Sequence, residues 1–83
     1  MSDDSPSVGR EMTFGEKAVG LSFNPSGDTD VQAVKEAFAK AIDLCNNLRE
    51  AAGQSEKGRL LSVAITELQG AQMFAVKGVT WKY

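Results

Sequence analysis

Phe23, Asn24 and Pro25 stand together in a polar stretch, FNPSGD, and Lys35 follows a short way into the apolar-periodic segment behind it. An aromatic face can stack a flat ring for about 1–3 kcal/mol. The Asn24 amide suits a base edge or a ribose, and an ammonium beside a helix start favours phosphate. Ring, amide and cation together have the chemistry of a nucleotide-phosphate pocket. The same residues also have a plain structural use. Phe23 can act as a staple that folds onto the first turns of the helix. Asn24-Pro25 is ordinary turn chemistry, and many solvated helices carry a lysine at the position of Lys35. Counted at 100° per residue, Lys35 falls on the rim of the apolar stripe, within reach of the Phe23 loop.

A second set lies further on. Arg59, Ser62, Thr66 and Gln69 recur at 3-4-3 spacing, so four hydrogen-bonding side chains share one helical face. A face towards water normally uses Glu and Lys, whereas short hydroxyls and an amide suit a half-buried groove. In a symmetric assembly such a line is repeated about the axis, and its copies can converge on one ligand.

What the chain lacks narrows the chemistry further. It has no histidine and a single cysteine, Cys45. The commonest general base at neutral pH is therefore missing, and neither a structural zinc site nor an internal disulfide can be built. No GxxxxGK[ST], GxGxxG or GxSxG pattern occurs. Any enzyme here would have to work with carboxylates, lysines and hydroxyls, and we expect none, with no cofactor and no metal. The net charge of −2 argues against duplex nucleic acid. With no long apolar run and a polar first twelve residues, neither a membrane span nor a signal peptide is expected.

The positioning elements follow from spacing. Eighty-three residues make at most one domain. Residues 1–12 read as a disordered or extended tail, and 13–83 as an all-α helical hairpin with a short N-terminal helix. Thr13-Phe14-Gly15-Glu16 is a capping box opening a helix over 14–19, which Gly20 ends. Thr29-Asp30-Val31-Gln32 reads as a second box. From there Val31, Val34, Phe38, Ala41, Cys45, Leu48 and Ala52 form an amphipathic stripe up to Gly53, with Glu36 and Lys40 paired on the wet side.

After a tight turn, a helix over roughly 56–80 must return antiparallel, its stripe being Leu61, Ala64, Leu68, Ala71 and Ala75. Val63, Ile65, Met73, Phe74 and Val76 lie off that stripe. A helix apolar on several sides needs cover on several sides, so a homo-oligomer built on the last helix is expected, with Trp81 and Tyr83 sealing an end. Gly70 and Gly78 each cost about 1 kcal/mol against alanine in a helix, which a close backbone approach would offset.

F-N-P-S-G-D followed by V-Q-A-V-K, then R-L-L-S-V-A-I-T-E-L-Q-G-A-Q-M-F-A-V-K, resembles the small phage proteins that act as cyclic-nucleotide sponges against bacterial CBASS immunity. Their relatives are the anti-Thoeris sponges. The resemblance spans roughly residues 13–82 and implies a homohexamer of helical hairpins, without catalysis, working in the cytoplasm of the infected host. It implies partners such as cyclic GMP-AMP, cyclic di-GMP and cyclic tri-AMP. Phe23, Asn24 and Lys35 match the residues that line the family's cyclic-dinucleotide pocket, with Pro25 beside them. The family aromatic is often tyrosine, so here one hydrogen bond is missing. Arg59 matches an arginine of a separate cyclic-trinucleotide site, and Ser62 and Thr66 are weaker matches. The competing reading is a structural or adaptor hairpin that binds a protein partner through its last helix.

Overall fold

A computed structural model describes residues 11–83, which form three helices and no strand: α1 (Phe14–Ala18), α2 (Thr29–Ala52) and α3 (Glu56–Val79). Of the expected tail, residues 1–10 lie outside the described residues. Met12 packs against the core.

Both bonds of the first capping box are made. Glu16 N–H donates to Thr13 Oγ1 at 3.1 Å, and Thr13 N–H donates to Glu16 Oε1 at 2.9 Å. The helix ends where Gly20 takes a φ of +63°, a conformation that costs glycine nothing and other residues a Cβ clash. The start of α2 differs from expectation. Asp28, not Thr29, is the N-cap; its Oδ1 accepts from Asp30 N–H at 2.7 Å and Val31 N–H at 3.1 Å. An aspartate at the positive end of the dipole satisfies two orphan donors at once, which leaves the Gln32 side chain free for other bonds. Gly53 caps α2, and Ser55 caps α3, its Oγ accepting from Gly58 N–H at 3.1 Å.

The helices lie in one layer, 41 × 39 × 12 Å, no thicker than a single helix with its side chains. α2 is the central element, with α1 and α3 both packed on it. This shifts the buried line. The residues of α2 that are buried are Val31, Lys35, Ala39 and Ile42, while Val34, Phe38, Ala41 and Cys45 are half-buried and Leu48 is exposed. The expected stripe is thus rotated: α1 covers a face that periodicity assigned to the rim. In α3, Gly58, Ile65 and Gln72 are buried, so Ile65 belongs to the core rather than off it, and Ala71 is exposed. Val19, Leu21, Ala39, Ile42 and Ile65 make the core.

α1 is locked to α2 by a backbone contact. A Cβ added at Gly15 would lie 2.1 Å from the Ala39 carbonyl oxygen, so only glycine admits this approach. Gly15 N–H also donates to Asp43 Oδ1 at 2.7 Å. By contrast, Gly70 and Gly78 face open space within the hairpin, and the close approach expected of them is not made inside one chain. Nor do Glu36 and Lys40 pair; Glu36 accepts from Gln32 instead.

Candidate functional site

The loop between α1 and α2 is hung on one side chain. Lys35 is only 6% exposed, and its Nζ donates to the Gly20 carbonyl at 3.0 Å and to the Phe23 carbonyl. The segment has no ladder of its own: the ammonium is the donor to the Phe23 oxygen and a second donor to the Gly20 oxygen. The Phe23 N–H closes a turn onto Gly20 O at 2.9 Å, and the Phe23 ring centroid lies 5.5 Å from Lys35 Nζ. The ring itself is 72% exposed. A staple would withdraw that surface from water; this ring keeps its face open.

Asn24 is half-buried next to it. Its Nδ2 donates to the Asp28 carbonyl at 2.9 Å and, at 3.5 Å, to Gln32 Oε1. Asn24 O accepts from Gly27 N–H at 3.0 Å, which closes the turn that contains Pro25. Pro25 is exposed beside Phe23. The structure therefore brings Phe23, Asn24, Pro25 and Lys35 into one patch. It gives Lys35 a structural duty that its expected place on the rim did not suggest.

A second patch lies at the other end of the hairpin. A groove of about 390 Å³ runs along the α2–α3 turn, lined by Arg49, Gly53, Gln54, Ser55, Gly58, Arg59 and Ser62. Arg59 makes a two-pronged pair with Glu56: Nε to Oε1 at 2.9 Å and NH2 to Oε2 at 2.6 Å. That hydrogen bond holds the Glu56 carboxyl below its ordinary value and raises Arg59 above its own. Ser62 Oγ accepts from Arg49 NH1 at 3.2 Å.

Thr66 is not part of this groove. Its hydroxyl bonds back to Ser62 O at 3.3 Å, as Gln69 does to Ile65 O at 3.4 Å. Arg49 was not among the residues singled out by spacing. Its guanidinium also sits over the Phe14 ring, 5.5 Å from the centroid, which ties α1 to the rim of the groove. Antiparallel register opposite Ser62 is the signal that finds it.

A family model described as Acb2/Tad1, hairpin domain, matches residues 16–80. The chain belongs to that family. The Acb2/Tad1 hairpin is the domain of the anti-CBASS and anti-Thoeris sponges, and membership carries their broad role, the binding of cyclic nucleotides by a domain that is in general non-enzymatic. The match takes in α2, α3, the Phe23 loop and the groove at the hairpin turn. No curated protein and no solved structure is similar to this Acb2/Tad1 chain at a significant level. Among the described residues no helix is long and apolar enough to cross a membrane, and no cluster of candidate metal ligands occurs.

Proposed function

We propose that the chain binds cyclic dinucleotide immune messengers and holds them uncleaved, lowering the free messenger below the threshold of a bacterial CBASS effector. The observation that carries this reading is the exposed Phe23 ring beside the buried Lys35 ammonium. The ring stacks a base, and the ammonium faces a phosphate. An ammonium has three N–H groups; the Gly20 and Phe23 carbonyls take two, which leaves one for a ligand oxygen. Asn24 and Pro25 complete the wall.

Exposed apolar side chains support the same reading. Met73 and Phe74 are 65% and 77% exposed, and Leu60 and Val63 are largely open too. Apolar residues spread along both sides of a one-layer hairpin fit burial against further copies of the chain. The copy number six comes from the family resemblance, and in such a homohexamer each dinucleotide sits between two protomers. Arg59 and Ser62, with Arg49 added from the groove, form the second candidate site, for cyclic trinucleotides such as cyclic tri-AMP. Thr66 would have to release Ser62 O to join them. The place of action is the cytoplasm of an infected host.

The test is a calorimetric titration with cyclic GMP-AMP, followed by heating and chromatography of the released nucleotide. Saturable binding and intact recovery support sequestration, and linear products would replace it with an enzyme. No binding of any cyclic nucleotide by the folded chain would favour the adaptor hairpin.

A further inference from the structure

Resting on that reading of the Phe23 loop, we propose that Asn24 meets the ligand as a hydrogen-bond acceptor for an exocyclic amine of the base, and that Gln32 and Glu36 are positioning residues that keep it so. The polarity is set by chemistry along a short relay. A carboxylate accepts and cannot donate, so Glu36 Oε2 obliges Gln32 to present Nε2 to it, at 3.1 Å. Gln32 is then left with Oε1 on the side of Asn24. A carbonyl oxygen likewise only accepts, so Asp28 O and Gln32 Oε1 both draw the Asn24 amide nitrogen, at 2.9 and 3.5 Å.

Both N–H groups of Asn24 are thereby committed. Among the described residues none donates a hydrogen bond to its Oδ1. Turning the amide over would set oxygen against oxygen at Asp28, with a second mismatch at Gln32. What remains for a base stacked on the adjacent Phe23 is an acceptor, and the edge that satisfies it carries N–H. Adenine offers only its 6-amine on that edge, and guanine its 2-amine beside N1–H. An adenine stripped of its amine would leave Oδ1 unmatched at the edge of the stack, which is where the selectivity arises.

The experiment uses the full chain and two probes: cyclic di-AMP, and the same ring with both adenine 6-amines replaced by hydrogen. Calorimetry on the wild type is expected to show the amine-free ring binding about tenfold more weakly, the scale of one hydrogen bond between neutral groups. In Asn24→Ala the two rings should bind alike. Gln32→Met, which removes the acceptor but keeps the bulk, should narrow the ratio. Gln32→Glu, which keeps an oxygen towards Asn24, should retain it. A general loss of loop order would weaken both rings together and leave the ratio untouched. Equal binding of the two rings by the wild type overturns the inference while leaving sequestration intact. Silence from both rings overturns the site assignment beneath it, and the inference with it.

Discussion

Lys35 Nζ donates to the carbonyl oxygen of Gly20 at 3.0 Å, across fifteen positions of chain. A side chain in the second turn of α2 thus carries the backbone at the point where α1 has ended and Gly20 has turned the chain with φ +63°. The same ammonium is the cation of the candidate site, so fold and ligand chemistry share one atom.

Lys35→Met should therefore lose on both counts. The Phe23 carbonyl would lose its donor and the Gly20 carbonyl one of its two, at a cost of about 2 kcal/mol. In a domain of this size that is a fall of roughly 8–16 °C in melting temperature. Cyclic GMP-AMP should no longer raise the melting point of the variant, whereas a ligand at a hundred times its Kd adds about 2.7 kcal/mol to a binding-competent fold. A variant that melts like the wild type would remove the loop-anchoring role.

Phe23→Ala separates stacking from stapling. The ring is largely open to water, so its loss should change stability by no more than about 0.5 kcal/mol. Binding of cyclic GMP-AMP should weaken by about 1–3 kcal/mol, the value of one stacked base. The comparison needs one denaturation curve and one titration. A large stability loss with unchanged affinity would restore the staple.

Gly15→Ala should unseat α1. The new methyl would meet the Ala39 carbonyl, which a continuous helix cannot withdraw, and the Gly15–Asp43 bond would go with it. We expect a loss of about 3 kcal/mol, at the upper end of overpacking. Asp43→Ala, which removes only the bond, should cost about 1.5 kcal/mol. Denaturant midpoints of the two variants give the order directly.

Glu56 guards the groove at the hairpin turn. Because Arg59 holds its carboxyl below the ordinary value, the pair contributes above the unfolded carboxyl's range and fades as pH falls through the lowered folded value. The pair is exposed and open to salt, so its weight in stability is small. Its weight in binding is competitive, since a phosphate and Glu56 both draw on the Arg59 guanidinium. Glu56→Gln should tighten cyclic tri-AMP by about threefold, and Arg59→Ala should weaken it. Unchanged affinity in both variants would separate the groove from trinucleotide binding.

Much of this architecture is legible before any coordinate. The Thr13–Glu16 box, the glycine stops and the hairpin follow from local rules, and both box bonds are present. The start of α2 lies one residue from the expected cap because Asp28 and Thr29 are both good caps, and only the geometry of two N–H groups on one carboxylate decides between them. The buried stripe was rotated for a different reason. Periodicity marks apolar residues without saying what covers them, and here α1 meets α2 through a backbone approach of Gly15 to Ala39, two residues with little or no side chain. Counting at 100° per residue sets Lys35 on the rim of the stripe; its burial follows from two backbone oxygens that no pattern of side chains announces. Arg49 has no local signature because its partners Phe14 and Ser62 lie far along the chain.

A loop already pinned to its helix has little motion left to surrender when a guest arrives. The Gly20 and Phe23 tethers mean that encounter need not wait for the wall to form, so capture should run near the pace of diffusion, and differences among guests should appear in how long each one stays.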